Sequence, residues 1–296
     1  MFPDYLTFSV PVPVAERLLE SLHSPWTSKR SLSTSYEEMR RCGGITVSMP
    51  ADPNAAARIE VSGNGCRELE AAGAVTDWQA YLACLLREEA KFTRCDYALD
   101  DQVGLLCMDT IIACCKESRV VSRFREITFH PKVDANTGAE IGNGVSFGVR
   151  GSKTYIRIYD KAMQQGDSGH WIRVELETRK DKAHSLVQAI AQGSAQAVPP
   201  RLLSYLDFKV QGTAKKHNCW KSEPWWTGFL GTAERRSSGT APRNVSLESQ
   251  HGWLMKYTAT TFALVHDSGM GKRLITEMLA HGRQKLRYSA AEAIIS

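Results

Sequence analysis

The sequence contains no uninterrupted apolar run approaching the ~20 residues that a membrane span needs, so no membrane-spanning segment is expected. Its first residues, Met1-Phe2-Pro3-Asp4-Tyr5, lack the basic start and apolar stretch of a signal peptide. No two cysteines stand at CxxC spacing: the eight lie at 42, 66, 84, 95, 107, 114, 115 and 219, and only Cys114 and Cys115 are adjacent. A structural zinc site draws paired ligands from short loops, so this pattern argues against zinc. Cysteines inside apolar runs such as Leu82-Ala83-Cys84-Leu85 read as small buried hydrophobes with reduced thiols. Internal repeats and long low-complexity tracts are also absent. With 43% hydrophobic and 23% charged residues among 296, the chain is neither disordered, collagen-like nor a coiled-coil rod. A globular, cytoplasmic protein is expected.

Charge is present but unevenly spread. The net charge of +5 is modest, yet residues 201–296 carry 14 Lys and Arg against 7 Asp and Glu, while the first 200 residues carry a net −2. A basic C-terminal third beside a slightly acidic body is the asymmetry expected of a protein that faces a polyanion.

Period-2 runs dominate the first half. Residues 5–10, 44–49 and 58–61 read as strands, the last punctuated by Ser62-Gly63-Asn64-Gly65. Residues 76–91 read as a helix capped by Thr76 or Asp77, followed by a strand over 91–99 and a helix over 105–118. Residues 121–130 and 144–161 read as two strands of a long hairpin, followed by a strand over 171–178 and a helix over 184–192. Many hairpin-linked strands with inserted helices predict an α+β fold: a largely antiparallel sheet covered by helices, with a mostly helical C-terminal part. Ala197-Val198-Pro199-Pro200 marks a boundary between 1–198 and 199–296.

Three strands carry charge where a plain sheet would not. In Arg94-Cys95-Asp96-Tyr97-Ala98-Leu99-Asp100, alternation puts Arg94, Asp96, Ala98 and Asp100 on one face. Two carboxylates flanking a small alanine leave a space for a cation and would otherwise repel. In Thr154-Tyr155-Ile156-Arg157-Ile158-Tyr159-Asp160-Lys161, the residues Tyr155, Arg157, Tyr159 and Lys161 share a face. Cations on both sides of Tyr159 can bind a phosphate and favour the phenolate, as a tyrosine nucleophile towards a phosphodiester requires. In Trp171-Ile172-Arg173-Val174-Glu175-Leu176-Glu177, Arg173, Glu175 and Glu177 share a face. Carboxylate oxygens are hard ligands suited to Mg²⁺ or Mn²⁺.

These three segments resemble the replication initiation factor family, the rolling-circle initiators of plasmids and filamentous phages and the related relaxases of mobile elements. Val61-Ser62-Gly63-Asn64-Gly65-Cys66-Arg67 and Trp225-Trp226-Thr227-Gly228-Phe229-Leu230 support the resemblance, which covers about Tyr5 to Arg287. It implies a nicking-closing endonuclease with Tyr159 as the nucleophile, leaving a 5′-phosphotyrosine and a free 3′-OH. Arg157 and Lys161 would steady the scissile phosphate. It also implies a divalent metal, Mg²⁺ or Mn²⁺, on Asp96, Asp100 and Glu175, with Glu177 the alternative to Glu175. The other initiator superfamily places two histidines around one apolar residue in its metal site, and none of the eight histidines here forms such a pair. On this reading Lys215, Lys216, Arg235, Arg236, Arg243, Lys272 and Arg273 contact DNA phosphates, and Trp220, Trp225 and Trp226 offer stacking surfaces. Expected partners are origin DNA, duplex and extruded single strand, with host helicase and polymerase and a homodimer as further candidates. The rivals are a conjugative relaxase, a non-catalytic DNA-binding regulator on the same fold, and a metal-free tyrosine recombinase or topoisomerase.

Overall fold

The computed structural model describes residues 2–21, 26–31, 35–193, 197–237, 255, 262–263 and 265–280. The chain divides into two compact units, Met1–Thr240 and Ala241–Ser296. The first is built on a ten-stranded antiparallel sheet, the α+β arrangement expected. In chain order its strands are β1 (Phe2–Pro11), β2 (Thr27–Arg30), β3 (Glu38–Cys42), β4 (Ile45–Met49), β5 (Ala56–Val61), β6 (Lys91–Asp101), β8 (Ile127–Phe129), β11 (Gly144–Phe147), β12 (Thr154–Asp160) and β13 (Ile172–Arg179). Side by side they run β2-β3-β4-β5-β1-β6-β13-β12-β11-β8. Two small sheets pair β7 (Val120–Ser122) with β14 (Leu206–Phe208), and β9 (Lys132–Val133) with β10 (Glu140–Gly142).

One face of the large sheet is apolar because alternation puts its β-branched and aromatic residues there. Leu6, Phe8, Ile59, Val61, Cys95, Tyr97, Leu99, Ile156, Ile158, Val174 and Leu176 are all buried in a single core. Helices α1 (Val12–Ser21), α2 (Gly63–Ala71) and α6 (Asp181–Ala191) pack on this face, and α3 (Trp78–Arg87) packs on α6. Ser62, expected to end a strand, in fact starts α2: its Oγ accepts from the Gly65 amide at 3.3 Å. The helix start lies so close to β4 that a Cβ on Gly65 would come within 2.6 Å of the Gly44 carbonyl oxygen. That approach, rather than a loop, is what the glycines here serve.

Further along the chain come α4 (Met108–Lys116), α5 (Lys161–Gln165), α7 (Val198–Tyr205) and α8 (Pro224–Ser237). The run 144–161 is not one strand. Gly148 and Gly151, both with φ near +90°, turn it back so that β11 and β12 form their own hairpin. Residues 121–130 are likewise split, with β7 joining β14 and β8 joining the large sheet. The prolines at 199–200 open α7 instead of closing a domain, since a proline is tolerated in a first helical turn. Residues 198–237 thus belong to the same compact unit as the sheet. Phe208 lies 6.3 Å from Phe147 of β11 and 5.1 Å from Trp226 of α8, ring to ring. All eight cysteines are free, but Cys84 is exposed, contrary to its expected burial, because it lies on the outer side of α3. Among the described residues no helix is long and apolar enough to cross a membrane. In the second unit, residues 265–280 are helical on either side of a kink at Gly269, whose φ is +79°.

Trp226 is fully buried and donates its indole N–H to the Leu206 carbonyl, which removes it from the expected stacking surfaces. Trp226→Ala should lower the unfolding free energy of the intact chain by about 3–5 kcal/mol. Denaturant unfolding read by fluorescence and by circular dichroism should show the loss in the same transition as the sheet. A separate transition for the tryptophan region would mean that 199–237 folds independently.

Candidate active site

The opposite face of the sheet carries the charge. Its centre is β13, hydrogen-bonded on one side to β6 and on the other to β12. The register places three rows across these strands: Tyr155–Glu177–Asp96, Arg157–Glu175–Ala98 and Tyr159–Arg173–Asp100. Directly paired residues of antiparallel strands face the same way, so all nine positions share one surface. The three sequence segments picked out for their charges are therefore neighbours.

Burial here is extreme for ionisable groups: Asp96 is 4% exposed, Glu175 and Glu177 3% each, and Arg173 5%. Each is compensated. Arg173 clamps Asp100 with two bonds of 2.7 and 3.0 Å and reaches Asp4 at 3.1 Å. Arg94 holds Asp96 at 2.6 and 3.0 Å and Glu177 at 3.1 Å, while Arg179 takes the other Glu177 oxygen at 2.6 Å. Arg157 pairs with Glu175 Oε2. Asp4 enters through a bulge of β1, between the pairs Pro3↔Tyr97 and Tyr5↔Asp96. An extra residue re-aims a side chain in this way, and nothing in the sequence marks it.

Tyr159 is half-buried, and its hydroxyl donates to Glu175 Oε1 at 2.5 Å. The Arg157 guanidinium lies 5.8 Å and the Lys161 ammonium 5.7 Å from its ring centre. Asp160 ends β12 and caps α5, accepting from the Met163 amide at 2.7 Å, so the arginine-x-tyrosine-aspartate-lysine run is a strand-to-helix junction. Lys161 therefore stands in the first turn of a helix and not on the strand. The expectation that the flanking cations favour the phenolate is reversed. Burial, with the Glu175 charge and its hydrogen bond, holds the Tyr159 hydroxyl well above the ordinary phenol range, and Arg173 offsets only part of this. Burial and the Arg173 charge push Lys161 down. Tyr155, the other tyrosine on this face, is buried opposite Glu177.

Of the expected metal ligands, Asp96 and Asp100 lie on either side of Ala98 along β6, Glu175 stands across from Ala98 on β13, and Asp100 is turned to Arg173. Glu177 stands directly across from Asp96. Burial, together with the charges of Glu177 and Glu175, pushes the Asp96 carboxyl up to about 7 despite Arg94. Asp96 thus feels the charges of Glu177 and Glu175, and the oxygens of all three acids suit a hard divalent cation. Arginines occupy them here: among the described residues, no three His, Cys, Asp or Glu side chains form a ready-made ion site.

The expected DNA contacts fall in both units. Lys215 and Lys216 are exposed in the first unit, and Lys272 and Arg273 are exposed in the second. Arg235 and Arg236 fall in the last turns of α8, with side chains outside the described residues, as is the whole of Arg243. Trp220 is part-exposed and stacks on His217 at 4.2 Å.

Arg173→Ala should destabilise the fold by about 3–5 kcal/mol, because it removes the two-pronged cation from Asp100 and the contact to Asp4. Arg173→Lys, which keeps the charge but loses the two-pronged clamp, should recover part of the loss. Urea midpoints of the three proteins check this.

Comparison with known proteins gives the family. The family model for the replication initiation factor matches residues 90–279, a span that includes all three charged strands. A Bacillus subtilis (strain 168) protein with the provisional name DNA relaxase NicK is 25% identical over 299 residues, covering 94% of this chain and 84% of that protein. The solved rolling circle replication initiator protein of Geobacillus stearothermophilus superposes with a TM-score of 0.70 at 24% identity, covering 79% of this chain and 96% of that one. The strands that bring together a tyrosine, its carboxylate partner and flanking cations lie within the matched region, and the chain belongs to the replication initiation factor family of rolling-circle initiators and relaxases.

Proposed function

We propose that this protein starts rolling-circle replication by cutting one DNA strand through transesterification, with Tyr159 as the nucleophile. The observation that carries this reading is the Tyr159 hydroxyl, bonded to Glu175 at 2.5 Å with Arg157 and Lys161 beside its ring. A phenol held protonated is a poor nucleophile until its proton has somewhere to go, and Glu175 Oε1 is in place to take it. Arg157 and Lys161 are placed to hold the non-bridging oxygens of a phosphodiester at the ring edge, where charge builds up during transfer. Attack would leave a 5′-phosphotyrosine and a free 3′-OH for a polymerase to extend.

A divalent cation, Mg²⁺ or Mn²⁺, would be held by Asp96 and Glu175, with Glu177 better placed than Asp100 as the third donor. When bound it would supply Lewis-acid polarisation of the phosphoryl group. The exposed Lys215, Lys216, Lys272 and Arg273, together with Arg235, Arg236 and Arg243, would supply phosphate contacts to origin DNA. The name of the Bacillus relative favours a second reading, a relaxase for transfer of a mobile element, which uses the same cut. Replication products of the encoding element, against transfer in matings, separate the two.

The test is incubation with Mn²⁺ and a supercoiled plasmid carrying the protein's own coding sequence and its flanks, followed by mapping of the nick. Tyr159→Phe should abolish the covalent adduct and leave DNA binding nearly unchanged, since only a hydroxyl is lost. An adduct that survives in the Phe variant would move the nucleophile to another residue, Tyr155 first.

Asp96→Ala should cut nicking roughly a hundredfold or more, the scale of losing one electrostatic contributor to a transition state. It should also erase the rise in melting temperature produced by millimolar Mn²⁺, because a ligand that binds only the folded state stabilises it by mass action. Melting scans with and without the ion read the second effect independently of activity. A variant that keeps both the shift and the rate would remove Asp96 from the ion site.

A further inference from the structure

The polar face does not end at Tyr159. Across β12, the partner of Tyr159 in β11 is Gly144, and the partner of Arg157 is Ser146. Beyond β11, the register Val145↔Phe129 and Ser146↔Thr128 continues to His130, whose amide donates to the Gly144 carbonyl at 2.8 Å. His130 therefore stands in the same row as Tyr159, two inter-strand spacings or about 10 Å away along the sheet, and on the same face. Between them the row has no side chain. A Cβ at position 144 would lie 3.0 Å from Tyr159 Cβ, so any larger residue there would crowd the nucleophile.

The two side chains at the ends of this gap lean towards the neighbouring row. The Tyr159 hydroxyl bonds to Glu175, on the β13 side of Arg157. His130 Nε2 lies 2.8 Å from the hydroxyl of Ser146, on the β11 side of Arg157. Arg157 thus has the nucleophile and its carboxylate on one side and a histidine–serine pair on the other. Ser146 is 1% exposed and His130 is exposed, so the buried hydroxyl fixes one edge of an imidazole that solvent and substrate can reach.

We propose that His130 is a further catalytic residue of the nicking reaction, the acid that protonates the departing 3′-oxygen, with Ser146 as its positioning residue. This rests on the reading of Tyr159 as the nucleophile. In-line transfer puts the entering and leaving oxygens on opposite sides of phosphorus. With the phosphate on Arg157, the entering oxygen comes from the Tyr159 side and the leaving oxygen faces the His130 side. The Tyr159 proton passes to Glu175, the bond from the phenolic oxygen to phosphorus forms, the bond from phosphorus to the 3′-oxygen breaks, and that oxygen takes a proton from the His130 imidazolium. Religation runs the same steps backwards, with neutral His130 accepting the 3′-OH proton and Glu175 returning its proton to the phenol.

The experiment uses the full chain with Mn²⁺ and single-stranded oligonucleotides spanning the mapped nick, one with the normal 3′-oxygen at the scissile bond and one with sulfur in its place. A thiolate leaves without a proton, so the sulfur substrate does not need the acid. His130→Ala and His130→Gln should each nick the oxygen substrate ~100-fold or more slowly than the wild type, the usual contribution of a general acid. Both should cut the sulfur substrate within about threefold of the wild type, as a lost proton donor requires and a lost phosphate contact does not. Ser146→Ala should show a smaller loss with the same selective rescue. Wild-type rates on oxygen for the His130 variants, or equal losses on both substrates, would overturn the assignment while leaving Tyr159 in place. If the wild type cuts neither substrate, the underlying reading falls as well. His130 is exposed, so wild-type melting temperatures are expected for both His130 variants, and a lowered one in both would make the residue structural.

Discussion

Everything on the polar face depends on the burial of charge along β13. This strand lies between β6 and β12, so the side chains of Arg173, Glu175 and Glu177 stand among those of two neighbouring strands and keep almost no contact with water. An ionised group in that position is tolerated only with an opposite charge and satisfied hydrogen bonds. The arginines at 94, 157 and 179 and the acids at 4 and 100 meet that demand, and these pairs tie together strands that are distant in the sequence. The opposite face is an ordinary apolar core under helices and imposes no such pairing.

The same compensation shapes the chemistry. Glu175 divides its two oxygens between Arg157 and the Tyr159 hydroxyl, so the group that keeps the buried acid satisfied is also the proposed nucleophile. The tyrosine is kept protonated by its surroundings, and the route of its proton is built in as a short hydrogen bond. An incoming phosphate would compete for Arg157, and an incoming cation would compete with Arg94 for Asp96. Substrate and metal would therefore enter by exchanging one compensated charge for another, without opening a bare acidic hole. Buried arrangements of this kind add little to stability compared with well-packed apolar residues.

Much of the fold was legible in local pattern. Period-2 alternation marked β1, β4, β5, β6, β12 and β13, and Asp77 caps α3 at the expected place, accepting from the Gln79 amide at 2.8 Å. The misread segments are those where a turn or cap needs a distant partner. Ser62 looked like the end of a strand because its capping role depends on the packing of Gly44 against Gly65. Residues 144–161 looked like one strand because alternation does not show that Gly148 and Gly151 turn the backbone at positive φ. The prolines at 199–200 looked like a linker, yet Phe208 and Trp226 tie β14 and α8 to the core of the sheet.

The sequence by itself determined which residues share a face, because in a strand that is a matter of counting by two. It thereby assembled Asp96 with Asp100, Tyr155 with Arg157 and Tyr159, and Arg173 with Glu175 and Glu177. Only the tertiary structure decided which strand lies beside which and in what register. That choice turned Asp100 towards Arg173, brought Glu177 opposite Asp96, gave Tyr159 a carboxylate partner that raises its proton affinity, and set His130 across Gly144 from it. The reason is physical: a hydrogen-bonded ladder joins residues without regard to their separation along the chain, and a pKa answers to burial and neighbouring charge, neither of which a single strand contains.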